Sequence, residues 1–119
     1  MTHVVFLLGP GVHLLDLAGP AQVFSTLADF GLDYRLSYVG ESSEVRSHQG
    51  VTLAASTTWP ELTPADLVVV PGWSRPRARF RADTLRRMAD HHAAGGTVAS
   101  ICAGTDALGR AGLLDGRRC

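Results

Sequence analysis

The stretch Thr97-Val98-Ala99-Ser100-Ile101-Cys102-Ala103-Gly104-Thr105 passes from a short apolar run to a cysteine followed by small residues. Thr97–Ile101 reads as a strand, and Thr105–Ala111 reads as a short helix ended by Gly112. A cysteine at a sharp strand-to-helix junction has the layout of a nucleophile elbow. Small neighbours let such a turn close, and a helix N-terminus favours negative charge on the thiol. The other reading is a buried structural thiol, because free cysteine packs as a small hydrophobe. Residue type and position leave both open.

Upstream, Asp66-Leu67-Val68-Val69-Val70 is a second apolar run, closed by Pro71-Gly72. His3-Val4-Val5-Phe6-Leu7-Leu8 is a third, closed by Gly9-Pro10-Gly11; Tyr34–Val39 reads as a further strand. Continuous rather than alternating apolar runs predict strands buried on both faces, as in a parallel sheet. Between them, Val23, Leu27 and Phe30 recur at helical spacing before Gly31. Gly19 reads as the N-cap of that helix and Pro20 as its first residue. Ala82–Ala94 carries Leu85, Met88 and Ala89 on one face and meets Gly95-Gly96, which predicts a second helix with a glycine C-cap. Val45–Ala54, around His48-Gln49-Gly50, reads as a short hairpin or excursion, and Trp73–Phe80 as a loop.

Strands alternating with helices predict an α/β chain: a flavodoxin-like three-layer αβα sandwich with a mostly parallel sheet in order 2-1-3-4-5. Residues 1–119 form one domain. Such sheets carry their functional groups at the carboxyl ends of strands. That singles out three loops: Gly9–Ala18, Gly72–Phe80 and Cys102–Thr105.

Composition narrows the function classes. Hydrophobic residues make up 45% and charged residues 18% of the 119, which suits a buried core rather than disorder. No apolar run approaches bilayer length and the start lacks signal-peptide features, so the expectation is a cytoplasmic protein without membrane contact. Formal net charge is zero, with nine of the eleven arginines after Gly72. A neutral domain lacks the electrostatic excess of a nucleic-acid binder. Cys102 and Cys119 cannot form a disulfide scaffold; a single bridge between them and two free thiols are the alternatives.

Asp16 lies among Leu14, Leu15, Leu17 and Ala18, where an unpartnered carboxylate is expensive. It is read either as an acidic partner facing the elbow or as a capping residue near a helix starting at Pro20. The arginines at 75, 77, 79, 81, 86 and 87 form an anion or partner site, or else a solvated face. His91 and His92 sit where they complement a helix dipole, while His13 and His48 lack metal-ligand company in sequence. No Lys-Ser/Thr follows Gly9-Pro10-Gly11, so a P-loop is excluded. No metal and no cofactor are expected.

With these residues placed, the chain resembles the ThiJ/PfpI superfamily, the class I glutamine amidotransferase-like fold. The resemblance runs through Leu15-Asp16-Leu17-Ala18-Gly19-Pro20-Ala21-Gln22-Val23-Phe24 and through Cys102-Ala103-Gly104, continuing to Leu108, Ala111-Gly112-Leu113-Leu114 and Gly116-Arg117-Arg118. Val68-Val69-Val70-Pro71-Gly72-Trp73 resembles the family's strand-plus-loop. The similar branch holds two kinds of protein: sensing domains of AraC-type transcription regulators, and isonitrile hydratases. The resemblance implies Cys102 as nucleophile, Asp16 as its acidic partner, and Gly72, Trp73, Ala103 and Gly104 around the ligand. Ala103 departs from the Thr of the hydratases and from the His of the peptidases, which argues against peptidase action. The family also continues past Gly-Arg-Arg with another strand, so the chain is expected to be an N-terminal fragment, truncated after its fourth main strand and the elbow helix.

The functional expectation is therefore a ligand-sensing domain lacking its DNA-binding module. The alternative is a hydratase using Cys102 and Asp16. The expected partners are a small-molecule ligand or substrate and a second copy of the chain. DNA is reached only through a C-terminal module absent from this chain.

Overall fold

In the computed structural model, which describes residues 1–74 and 79–118, β1 (Thr2–Leu8) is buried along nearly its whole length. It pairs in parallel with β2 (Tyr34–Gly40) on one side and with β5 (Leu67–Val70) on the other. β6 (Thr97–Ser100) adds in parallel outside β5, so the sheet order is β2-β1-β5-β6. Leaving the two hairpin strands out of the numbering, this is the expected 2-1-3-4.

Period-two alternation divides the core. Val5, Leu7, Val68 and Val70 pack with Met88 of α2 (Ala82–Ala93) and with Ala107 and Leu108 of α3 (Thr105–Arg110). Val4, Phe6, Leu8 and Val69 pack against Leu17 of α1 (Leu14–Asp29). Helices thus cover both faces, the three-layer αβα sandwich the apolar runs predict. Each fully buried side chain contributes about 1.5–3 kcal/mol, so Phe6→Ala, at the centre of β1, costs about 3–5 kcal/mol.

Helix α1 departs from expectation. It begins at Leu14, with His13 as N-cap, and Pro20 lies inside it rather than opening it. The cause is long-range: the Gln49 side-chain carbonyl accepts the Leu14 N–H at 3.1 Å, supplying a start no local residue provides. Gly19 lets the helix run through Pro20, because it has no Cβ for the proline ring to strike. Asp16 is consequently a first-turn residue and makes no side-chain cap; the capping reading does not hold.

Val45–Ala54 resolves into an antiparallel hairpin of β3 (Glu44–Arg46) and β4 (Thr52–Ala54). It is fastened to the β1–α1 loop by Gly11 N–H to the Arg46 carbonyl (2.8 Å) and His48 N–H to the Val12 carbonyl (2.9 Å).

At the opposite end of the sheet, Asp66 joins the starts of β1 and β5. Its carboxylate accepts the backbone N–H of His3 at 2.7 Å and of Thr63 at 2.6 Å. Burial works against the charge, but these donors and the Thr63 hydroxyl outweigh it and hold the carboxyl below the ordinary value. His91 is part of this structure and not a solvent-facing dipole partner. It is buried, lies over Gly96, and bonds the Asp66 carbonyl at 3.0 Å.

Of the arginine cluster, Arg81 pairs with Glu41 and Asp83, Arg87 lies over the Trp59 ring, and Arg79 and Arg86 are exposed. Arg75 and Arg77 fall outside the described residues, as does Cys119. No helix among the described residues is long and apolar enough to cross a membrane.

Candidate functional site

The elbow is built by conflict between strand and helix. Ile101 is extended, and its N–H bonds the Val70 carbonyl at 3.0 Å, continuing the sheet. Gly104 is already helical, at φ −57° and ψ −22°. Cys102 absorbs the reversal at φ +52°, and among the described residues it is the only non-glycine with positive φ. Such a conformation costs a few kcal/mol at most and persists where surroundings over-determine it. Here they do: Thr105 Oγ donates to the Cys102 carbonyl at 3.0 Å and meets Ser100 Oγ at 2.9 Å. Cys102 is exposed, so the buried-thiol reading does not describe it. A single turn of 3₁₀ helix (Cys102–Gly104) then leads into α3.

Gly72 brings the other walls to the elbow. A Cβ on Gly72 would stand 2.8 Å from Asp16 Oδ2, 3.0 Å from the Ala103 amide nitrogen and 3.0 Å from the Ile101 carbonyl oxygen. The first-turn carboxyl of α1 and the amide that follows Cys102 therefore face each other across one glycine. Any side chain there would push them apart. Asp16 Oδ2 is buried and makes no hydrogen bond, to Cys102 or to any other group. A buried polar atom left unmet costs about 1–3 kcal/mol. Structural carboxylates seldom carry that cost, whereas functional ones do.

The sequence-expected ligand residues separate. Gly72, Ala103 and Gly104 lie at the convergence, with the Gly104 Cα pressed against the Val70 carbonyl. Trp73 bridges backbone to Val12, but its ring is buried edge-on to Phe80 at 5.8 Å and belongs to the core.

Three side chains were not legible as site residues. His13 donates its backbone N–H to the Gly72 carbonyl at 2.9 Å, and its Nε2 meets Ser74 Oγ at 2.5 Å. The His48 ring, from the hairpin tip, stands 5.3 Å from the His13 ring. His13 and His48 are thus neighbours, although 35 positions apart. The available signal was His13 lying one helical turn before Asp16. Among the described residues, no three His, Cys, Asp or Glu side chains are grouped as a metal site.

This geometry has named relatives. The chain is 34% identical to the isonitrile hydratase of Pseudomonas putida over 117 residues, 98% of this chain and 50% of the hydratase. It is 42% identical over 121 residues to a Streptomyces lividans protein known from the cpoL 5′ region, covering 84% of that protein. Among solved structures, an AraC family transcriptional regulator from Pseudomonas putida superposes over the whole chain with a TM-score of 0.80 and 27% identity. The chain spans 65% of that regulator and half of the hydratase. The DJ-1/PfpI family pattern matches residues 2–119. With that match over nearly every residue and the strained cysteine at its expected junction, the chain belongs to the DJ-1/PfpI family.

Proposed function

We propose that this domain is the ligand-sensing part of an AraC-type transcription regulator, with the convergence of Cys102, Asp16 and Gly72 as its sensing centre. The observation that carries the reading is the likeness to the AraC family regulator along the entire chain. Ala103 supports it, since the residue after the cysteine offers a backbone N–H and no hydroxyl. A sensor needs an exposed, strained, responsive residue; it does not need a full set of proton-transfer groups. The unmet Asp16 oxygen then waits for a donor on the ligand. A second copy of the chain completes the assembly through α1, whose Leu15 and Val23 are exposed at 81% and 58%.

The second reading is an isonitrile hydratase-like enzyme, favoured by the 34% identity and by Cys102 and Asp16 themselves. In that reaction the Cys102 thiolate adds to the isonitrile carbon and Asp16 delivers the proton. Water then displaces sulfur to give the formamide.

The test takes the protein with whatever follows Cys119 in its reading frame and exposes it to a small alkyl isonitrile. Formamide production lost in Cys102→Ala supports the hydratase and overturns the sensor. Absence of turnover, with two helix-turn-helix units encoded downstream, supports the sensor.

A further inference from the structure

We infer that His13 and His48 form an anion seat at the mouth of the Cys102 site, so that the pocket takes small molecules bearing a carboxylate or comparable anionic group. The inference rests on the proposed role of Cys102 as the centre of that site and names the ligand class. Its basis is a juxtaposition: two imidazoles with ring centroids 5.3 Å apart, one fixed to Ser74 and both anchored to the wall that carries Gly72.

His13 is placed by backbone on both sides. Its N–H bonds the Gly72 carbonyl, and one turn further along α1 Asp16 meets the same glycine from inside. His48 is placed by its own N–H on the Val12 carbonyl, and it is exposed at the tip of the hairpin. The pair therefore stands at the rim, one helical turn outward from the carboxyl that faces the elbow.

The chemistry of that rim is directional. Imidazole gains charge near pH ~6.5, and an anion close to two such rings favours the protonated forms. The charged groups on the two elements that carry the pair are the Asp16 carboxyl, one turn along α1 from His13, and Arg46 on the hairpin, whose guanidinium lies beside Gly50; the Cys102 thiol is reached across Gly72. Asp16 repels an anion from the inner pocket and Arg46 adds to attraction outside. A ligand that suits both regions has its anionic end at the histidines and an uncharged, hydrogen-bond-donating or electrophilic end at Asp16 and Cys102.

Two alkylating agents of nearly equal size make the test. Iodoacetate carries a carboxylate and iodoacetamide does not. Their labelling rates at Cys102 are measured by mass spectrometry from about pH 8 to about pH 5.5, across the imidazole range. Taking the ratio cancels the falling thiolate fraction, and the same ratio at Cys119 serves as the internal reference. The expected result is an iodoacetate preference at Cys102 that grows about fivefold on acidification, the size of one screened charge pair. His48→Gln reduces that gain, and His13→Gln with His48→Gln abolishes it. His48 is exposed, so the single variant keeps the test readable if the double variant does not fold. A flat ratio in the wild type, or a gain unchanged in His48→Gln and in the double variant, overturns the anion seat while leaving Cys102 as the reactive centre. Cys102 that reacts with neither reagent until the chain unfolds overturns both.

Discussion

The Val70 carbonyl oxygen occupies the place where a Cβ on Gly104 would have to be. The end of β5 and the start of the elbow helix are in backbone contact, and that contact sets the height at which Cys102 emerges. Gly104→Ala must displace main chain rather than a flexible side chain. The expected cost is roughly 3 kcal/mol, the upper end for overpacking, read as a lower urea midpoint at unchanged m-value.

The positive φ of Cys102 gives an inverted glycine effect. Glycine at an exposed position is ordinarily worth 0.5–1 kcal/mol less than alanine, to order of magnitude. At φ +52° alanine keeps the left-handed penalty and glycine does not. Cys102→Gly should therefore be more stable than Cys102→Ala by about 1 kcal/mol. Thermal unfolding of the two variants under one buffer checks it, and the ordinary order would mean that the elbow relaxes on losing its sulfur.

Cys102 should react with iodoacetamide near neutral pH faster than Cys119. Asp16→Asn and Asp16→Ala should each move the pH profile of that reaction, because the carboxyl and the elbow amide share the space over Gly72. Labelling rates taken separately at the two cysteines measure this. Superimposable profiles in wild type and both variants would leave Asp16 no part in the site.

Asp66 sets an acid limit on stability. Its folded carboxyl titrates below the ordinary 3.8, so the stabilisation it gives is complete above that value and is lost as pH falls through the folded one. Asp66→Asn puts an amide where two N–H groups point and should cost about 1–3 kcal/mol at neutral pH. The difference from wild type should shrink below pH 3.8, measured by denaturant unfolding at a series of acid pH values.

The exposed apolar side of α1 should make the chain self-associate. Leu15→Lys is expected to shift the sedimentation profile towards monomer, since it replaces the most exposed apolar side chain of α1 with a charge. Association that persists unchanged in the variant would point instead to β6, whose outer edge has no strand beside it among the described residues.

The parallel sheet was legible because Val4–Leu8 and Leu67–Val70 are apolar without interruption, and burial on both faces demands that. The elbow was legible because Cys102, Ala103 and Gly104 are small residues between a strand and a helix. The start of α1 was not, since its cap comes from Gln49 in another element and Gly19-Pro20 imitates a local beginning. Nor was the histidine pair: nothing in sequence brings position 48 to position 13 until Gly11 and Val12 bond the hairpin.

Pro20 divides α1 into two mechanical parts. Lacking an N–H, it leaves the Asp16 carbonyl without the donor that would tie the first turn to the rest of the helix. The first turn is held instead by Gln49, Gly72 and Ser74. Leu17 is that part's own contact with the sheet, while Ala21 and Phe24 seat the part beyond the proline. Deuterium uptake along α1 should accordingly break at this proline, with occupancy of the pocket altering protection only on its amino-terminal side.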